Sequence, residues 1–347
     1  MFESKNIYHY LFAFSLIIVA NYVGSKFKQN FSENSDEYEL IKKYLLNESP
    51  LYGFNKPKIW IHSKYEINAR KWKDFNSRNS TDLNQPYLHL TIKSIVDHCG
   101  DDFHICLIDD DTFSKLIPSW DVDVASVAEP MKTRLREIGL LQLIYIYGGM
   151  LVPNSFLCSK NLKDLYYDGV YANKPFVCES VNRTNNVVAQ KQKLLFIPDT
   201  YFMGCNKNDP VILQFIDYLK SRNKNPHFTS EFEFLGDSSQ WCIKSIEKHD
   251  MNLIGGQQIG IKTQNRKPIL LEDLFEEKYL DLDKNVFGIY IPANEVLRRN
   301  KYQWFAVLSK DEIMNSNLAI VKYMKASVVD ANNEYFRPTT IHTAISI

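Results

Sequence analysis

Three cationic side chains stand in front of a long apolar segment. Lys132, Arg134 and Arg136 are followed by residues 138–147, in which only Gln142 is plainly polar. Cations are disfavoured at a helix N-terminus because the helix dipole already places positive charge there. The pattern therefore has two interpretations. One is an anion-binding site, in which charge-assisted hydrogen bonds neutralise the ligand, and the other is a solvated helix end.

Three consecutive acids form a second candidate group. Asp109, Asp110 and Asp111 follow residues 103–108, an alternating run that predicts a strand. In open α/β sheets, ligands bind beyond the carboxyl ends of the strands, and an acid in that place can accept hydrogen bonds from a ribose or a base. The alternative is that Asp110 or Asp111 caps the helix that we predict from Thr112 onward.

A buried helix followed by a strand must position the cationic group. The apolar positions recur at helical spacing at Leu135, Ile138, Leu141 and Tyr145. Gly148 and Gly149 end this helix, because glycine tolerates the left-handed conformation of a helix C-cap. Residues 150–152 predict a short strand, and Pro153 ends it because proline cannot donate to a strand ladder.

The remaining patterns alternate between strands and helices, which predicts an α/β fold. Further strands are predicted at 59–61, 175–178, 196–204 and 304–308, and further helices at 88–99, 209–220 and 311–324.

The junction between helix and strand resembles a known family. In glycosyltransferases with a DXD sugar-binding motif, and in capsular-polysaccharide-synthesis proteins, Ser-Asp-x-x-Arg is followed by a helix, Tyr-Gly-Gly, a strand and Asp-x-Asp. Residues 147–149 are Tyr-Gly-Gly, whereas residues 153–155 are Pro-Asn-Ser and residues 136–140 keep a single acid. The Pro-Lys-Ile-Trp run at 57–60 resembles the start of the nucleotide-binding half of that family. The similarity covers roughly residues 56–240.

The resemblance implies a GT-A-like (Rossmann-like) fold with a mixed, mostly parallel sheet flanked by helices. It also implies transfer of a sugar from a nucleotide-sugar donor to a glycan or lipid acceptor. The residues given catalytic roles are Asn154, Ser155 and Asp237, and those given nucleotide-sugar-binding roles are Asp109, Asp110, Asp111, Lys132, Arg134, Arg136 and Gly149. For Asp237, capping of the following helix is the alternative role.

The Asp-x-Asp position decides how a diphosphate would be neutralised. In the family its carboxylates hold a divalent cation, since hard cations prefer oxygen ligands, but Asn154 and Ser155 offer only neutral oxygens. Three outcomes follow. The cationic group replaces the metal, the Asp109–Asp111 cluster holds Mn²⁺ or Mg²⁺ instead, or the protein is a catalytically inactive, membrane-attached glycan-binding or structural relative.

Composition excludes some function classes. The 347 residues are 45% hydrophobic, enough for a sizeable core. The formal net charge of +0 argues against a general nucleic-acid binder, whose affinity comes from basic surface. The six cysteines include no C-x-x-C pair, which argues against zinc and thioredoxin-type chemistry and predicts buried free thiols, with disulfides as the alternative in an oxidising lumen.

The N-terminal segment predicts membrane attachment. Residues 7–24 contain no acid, lysine or arginine, and as a helix they would span about 27 Å, close to a bilayer core. A membrane anchor is our expectation, and a cleaved signal peptide or a buried soluble helix are the alternatives. The charges that flank the segment favour a cytosolic catalytic domain, whereas four glycosylation sequons favour a lumenal one. Both topologies stay open.

These patterns divide the chain into four parts. We expect an anchor at 1–28, a stem at 29–55, the catalytic-type domain at 56–325 and a C-terminal tail at 326–347.

Overall fold

A computed structural model describes residues 56–63, 85–224 and 236–333. Every described residue belongs to one compact unit, Ser49–Ile347. The expected anchor at 7–24 and stem at 29–55 lie outside the described residues, as do the sequons at Asn30, Asn47 and Asn79. Within the described ranges, no helix is both long and apolar enough to cross a bilayer.

The described residues form eight strands and eleven α-helices. The strands are β1 (Lys58–His62), β2 (His104–Ile108), β3 (Gly149–Leu151), β4 (Phe156–Cys158), β5 (Phe176–Glu179), β6 (Pro198–Cys205), β7 (Asn252–Ile254) and β8 (Gly288–Tyr290). The helices are α1 (Tyr87–Cys99), α2 (Thr112–Leu116), α3 (Met131–Tyr147), α4 (Lys163–Gly169), α5 (Arg183–Gln192), α6 (Pro210–Lys224), α7 (Asp237–Glu247), α8 (Leu271–Leu274), α9 (Ala293–Arg298), α10 (Lys310–Asn315) and α11 (Ala319–Asn333).

Six strands form one sheet, in the order β2-β1-β3-β6-β5-β7. β1 pairs in parallel with β2 and β3, and β5 pairs in parallel with β7. β6 runs antiparallel to both of its neighbours, β3 and β5. Five of the six strands therefore point the same way, which confirms the predicted mixed, mostly parallel sheet flanked by helices.

Both faces of the sheet are buried. Successive side chains of a strand point to opposite faces, and on β1 Trp60 packs into a cluster with the apolar face of α3, including Leu141 and Ile144. Its neighbours Ile59 and Ile61 are fully buried as well, on the opposite face. Strands covered on both faces read as near-continuous apolar runs rather than as alternating patterns.

Helix α3 and strand β3 meet at the two predicted glycines. Gly148 caps the helix at φ +72°, and its amide donates to the Ile144 carbonyl at 2.8 Å. Gly149 has φ +94°, and a side chain there would collide with the Lys58 carbonyl oxygen. The junction therefore needs glycine for backbone geometry and for close approach to β1.

An irregularity interrupts β6 where it pairs with β5. Val177 pairs with Met203 and Cys178 pairs with Asp199, so the segment 200–202 has no partner on β5. Bulges bend a strand and re-aim its side chains, and they occur often beside active sites.

The C-terminal part differs from the sequence-based prediction. The run predicted as a strand at 304–308 is a 3₁₀-helix, Phe305–Val307, whose Phe305 ring packs on Tyr87 and Phe275. Short apolar runs do not distinguish strand from helix. The helix predicted at 311–324 is two helices, α10 and α11, and α11 continues to Asn333. All six cysteines are buried free thiols, as predicted.

Candidate functional site

Polar side chains from several elements meet at the carboxyl edge of the sheet. β1, β2, β3 and β5 end at this edge, and the antiparallel β6 begins there at Pro198. The N-terminal turns of α3 reach the same edge, because the helix runs back to the start of β3. This is the place where open α/β sheets bind ligands.

An ion pair joins the acidic loop to helix α3. The Nε of Arg136 donates to both oxygens of Asp110, at 2.9 and 3.0 Å, and its Nη2 donates to Oδ2 at 2.8 Å. The Nε2 of His62 lies 3.0 Å from Asp110 Oδ1. Burial raises the pKa of Asp110, but hydrogen bonds from His62 and Arg136 outweigh it and hold that pKa well below its usual range.

This geometry revises two sequence-based expectations. Arg136 is 3% exposed, and its guanidinium is committed to Asp110, so it anchors the acidic loop rather than facing a ligand. The cap of α2 is made by Asp109, whose Oδ1 accepts from the backbone and the hydroxyl of Thr112 at 3.0 and 2.6 Å. Asp111 occupies the N-cap position without a side-chain capping bond, and Asp110 makes the ion pair instead of a cap.

The other two cations of the trio lie in the first turn of α3. Lys132 and Arg134 are partly buried. Burial raises the pKa of Glu137, and the positive charge of Arg134 opposes that shift weakly, so Arg134 lies within electrostatic reach of Glu137. Only these two members of the trio remain candidates for contact with an anion.

Two hydrogen bonds hold the tripeptide after β3 in place. The buried Ser155 hydroxyl donates to the Ile291 carbonyl at 2.7 Å. The backbone oxygen of Asn154 accepts from the Thr91 hydroxyl at 2.5 Å. Gly149 lies inside the sheet against β1. Ser155 thus ties the tripeptide to the loop after β8, and its hydroxyl is already engaged.

The acidic loop and the tripeptide after β3 were the two candidates for holding a divalent cation. The carboxylates of Asp109 and Asp110 are satisfied by Thr112 and by Arg136 with His62, and the Ser155 hydroxyl donates to a carbonyl. In the described parts of the chain, no group of three His, Cys, Asp or Glu side chains converges in a way that could hold a metal ion. Within those residues, the Asp109–Asp111 cluster forms no such group.

Asp237 lies at the first turn of α7, where its carboxylate makes an ion pair. Its Oδ1 accepts from the Nε and Nη2 of Arg222 at 3.1 and 2.7 Å. The N-cap position is Gly236, and there is no side-chain capping bond. Asp237 therefore joins α6 to α7, and it is not part of the group formed by Asp110 and Arg136.

Two acids that we did not select from the sequence lie where α3 faces the start of β6. The Thr200 hydroxyl donates to Glu137 Oε1 at 2.6 Å, and Ser238 also hydrogen-bonds this carboxyl. Asp199 is 8% exposed, and its Oδ1 accepts from the Tyr201 amide at 3.0 Å. The only sequence signal was that Glu137 fills the acid position of the family pattern; Asp199 stood in a run predicted simply as strand and turn.

The environment of these acids favours their protonated forms. Burial raises the pKa of Asp199 to about 6, although hydrogen bonds from the Tyr201 amide and the Tyr290 hydroxyl lower it. Burial and the nearby Asp199 charge raise the pKa of Glu137. The Tyr201 hydroxyl is buried and has no hydrogen-bond partner within the described residues. Titratable groups of this kind beside a cavity mark candidate functional sites.

A polar cavity of about 220 Å³ opens beside Asp199. It lies between the end of β5, the start of β6, and helices α5 and α7. Its polar lining consists of Ser180, Thr184, Asn185, Asp199, Thr200 and Ser239. Complete small-molecule pockets measure roughly 300–1,000 Å³, so the cavity has room for only one portion of a ligand.

No protein-family model matches the chain, and no curated protein matches it. Among solved structures, the PaToxG glycosyltransferase is similar at 13% identity and a TM-score of 0.32, over 56% of this chain and 70% of that one. The apo form of the glycosyltransferase GlyE of Streptococcus pneumoniae TIGR4 is similar at 10% identity and a TM-score of 0.36, over 81% of this chain. A second GlyE structure matches at 13% identity and the same TM-score. The chain spans 63% of the GlyE chain. Similarity this low assigns the chain to no family.

Proposed function

We propose that the protein transfers a sugar from a nucleotide-sugar donor to a glycan or lipid acceptor. The observation that carries the proposal is the convergence of the acidic loop, the N-terminus of α3 and the start of β6 at one edge of a mostly parallel sheet. Ligands of α/β sheets bind at this edge. The Tyr-Gly-Gly junction supports the choice of sugar transfer among the reactions such a fold can perform.

The charge at this edge suggests how a donor diphosphate would be met. Lys132 and Arg134 supply positive charge in the first turn of α3. Asp109 and Asp110 follow β2, which pairs with β1 on the side opposite β3. We place the diphosphate at the start of α3 and the nucleoside toward β2, without a metal ion at residues 153–155.

A catalytically inactive glycan-binding or structural protein is the second candidate. The observation that favours it is the buried hydroxyl of Ser155, which donates to the Ile291 carbonyl and so holds the backbone at the position of the lost Asp-x-Asp pair. In either case the apolar segment 7–24 supports attachment to a membrane.

Thermal unfolding of the full chain with UDP-, GDP- and CMP-sugars, each with and without Mn²⁺, tests the proposal. A ligand that binds only the folded state stabilises it by about 2.7 kcal/mol at a concentration 100 times its Kd. One donor class should therefore raise the midpoint by several degrees, and slow release of its nucleotide should follow.

The possible results separate the two candidates. Binding with turnover supports the transferase. Stabilisation by a glycan without donor turnover supports the inactive protein. Absence of both stabilisation and donor hydrolysis under every condition refutes the transferase.

The double variant Lys132→Gln/Arg134→Gln tests where the diphosphate binds. It should weaken donor affinity about tenfold or more, because each charged hydrogen bond contributes about 1.5–3 kcal/mol. Lys163→Gln, at the opposite edge of the sheet, is the matched control. Unchanged donor affinity in the double variant would contradict the placement of the diphosphate.

A further inference from the structure

The polar cavity beside Asp199 has a lining suited to a neutral polyol. The lining includes the hydroxyl groups of Ser180, Thr184 and Ser239, the amide of Asn185 and one carboxylate. The Asn185 amide donates to the Ser180 hydroxyl at 2.9 Å, and the Ser239 hydroxyl donates to the Pro198 carbonyl at 3.5 Å, so each hydroxyl keeps at least one further site for a hydrogen bond. No lysine, arginine or histidine is among the lining residues that the structure describes. A phosphate or carboxylate would meet no positive charge from these described residues, whereas sugar hydroxyls can both donate to and accept from them.

Its place in the sheet separates the cavity from the acidic loop. In the sheet order, three strand spacings separate β2 from β6 and four separate β2 from β5. With neighbouring strands about 4.8 Å apart, the cavity lies roughly 14–19 Å from the end of β2. A donor whose nucleoside lies at β2 and whose diphosphate lies at α3 would reach the near side of the cavity with its sugar. The space beyond it is then left for the acceptor.

We propose, on the basis of the sugar transfer proposed above, that the polar cavity holds the reacting sugar ring of the acceptor and that Asp199 is its general base. The acceptor oxygen forms a bond to the anomeric carbon of the donor while the bond from that carbon to the diphosphate oxygen breaks. The proton of the acceptor hydroxyl goes to the Asp199 carboxylate, and the electron pair of the broken bond leaves with the nucleoside diphosphate. A single displacement of this kind inverts the anomeric configuration.

Asp199 suits this role better than Glu137. Glu137 already accepts from Thr200 and Ser238, and it is not part of the cavity wall. Asp199 lines the cavity, and the Tyr201 amide and the Tyr290 hydroxyl fix its orientation. The β6 irregularity begins directly after Asp199, so the backbone departs from the ladder where this side chain is presented.

The raised pKa supports the assignment and predicts a pH profile. A general base must be ionised, and it works best when its pKa lies near the operating pH. With the pKa of Asp199 at about 6, transfer should be slow at pH 5 and reach a plateau above about pH 7.

The decisive comparison is between Asp199→Asn and the matched control Asp102→Asn, using the full chain. Asp102 precedes β2 at the opposite edge of the sheet, where it pairs with Lys163. Donor affinity is measured by calorimetry with whichever nucleotide-sugar stabilises the chain most, and transfer is measured on a panel of neutral monosaccharides and disaccharides. Asp199→Asn should keep the donor Kd within twofold and lower the transfer rate 10²–10⁴-fold. Its transfer rate should also no longer rise with pH near pH 6. Asp102→Asn should change none of these.

A blocking variant tests the cavity without altering a polar group. Gly236 lies in the cavity wall, and a Cβ added to it would meet nothing within 4 Å. Gly236→Phe should therefore fold, retain donor binding and lose the saturation-transfer NMR signals of free neutral monosaccharides. Glucuronate should give weaker signals than glucose with the unmodified chain at pH 7.5, because its carboxylate would face Asp199.

The outcomes distinguish this inference from the proposed function. If no donor binds, the transferase itself is refuted. If a donor binds and transfer occurs, a rate loss below tenfold in Asp199→Asn with the pH limb retained overturns the base assignment alone. Displacement of free monosaccharide by a nucleotide-sugar but not by the free nucleotide would show that the cavity holds the donor's sugar, and would overturn the acceptor assignment. A product of retained configuration would overturn the single displacement.

Discussion

The ion pair between Arg136 and Asp110 carries a stability prediction of its own. Both side chains are largely buried, at 4% and 18% exposure, so removing Arg136 leaves the Asp110 carboxylate without its bidentate partner and with only His62, at 3.0 Å, among the contacts described above. Arg136→Met should therefore lower the free energy of unfolding by about 3–5 kcal/mol, as measured by urea denaturation. The double variant Arg136→Met/Asp110→Leu should recover most of that loss, since apolar residues often replace a buried pair at little cost. A double variant as unstable as the single one would contradict this account.

The glycine at position 149 carries a second prediction at the residue scale. Its φ of +94° and its contact with the Lys58 carbonyl leave no room for a side chain. Gly149→Ala should destabilise the protein by about 2 kcal/mol or more, because strained backbone and collision add together. Gly236→Ala is the matched control: its φ is −51° and the space around it is open, so its effect should stay within about 1 kcal/mol. Equal midpoints of thermal unfolding for the two variants would refute the argument.

At the scale of elements, helix α5 buries the fewest side chains of the elements that line the polar cavity. Val188 is its one buried residue within the described chain, whereas α3 buries seven. Its N-terminus depends on Asn182, whose side chain accepts from the Asn185 amide at 2.7 Å. Amides of α5 should therefore exchange with deuterium at least tenfold faster than those of α3.

A cap substitution tests this difference. Asn182→Ala removes about 1 kcal/mol of capping and should speed exchange in α5 about fivefold, while Ser309→Ala, which removes the cap of α10, should leave α5 unchanged. Hydrogen-exchange mass spectrometry measures both. Exchange in α5 as slow as in α3 would contradict this picture of a lightly held wall.

Features that are determined by residues close together in the sequence could be predicted, and features that depend on distant residues could not. The α3–β3 junction was predicted because apolar spacing and two glycines specify it within twenty residues. The commitment of Arg136 to Asp110 was not, because these residues lie 26 apart and meet only after β2 and α3 pack. Asp199 was missed for the same reason: its burial and the β6 irregularity come from pairing with β5. The 3₁₀-helix at 305–307 was predicted as a strand because a short apolar run contains no periodicity to decide between them.

At the scale of the whole molecule, the acids at the sheet edge act on stability in opposite directions. Asp110 has a lowered pKa in the folded state, so its contribution is present above its unfolded pKa and is lost in acid. Asp199 and Glu137 have raised values, so the folded state binds more protons than the unfolded state in the window above their ordinary pKa. Their ionisation therefore lowers the free energy of unfolding as the pH rises.

For Asp199 this sign gives a measurable prediction. Its pKa moves from 3.8 to about 6 on folding, so the contribution of Asp199 to stability should fall between about pH 4 and pH 6 and stay level above that, with a total cost of about 3 kcal/mol. Asp199→Asn removes the cost while keeping an acceptor for the Tyr201 amide. The variant should therefore unfold at a higher temperature than the unmodified chain at pH 7.5, and the difference should shrink toward pH 4.5. Asp102→Asn, whose carboxyl has a lowered pKa beside Lys163, should show no such gain at pH 7.5. A pH-independent difference for Asp199→Asn would mean that Asp199 does not titrate in this window. A catalytic residue often lies in an environment that destabilises the folded protein. If Asp199 is such a residue, Asp199→Asn should gain stability and lose transfer activity.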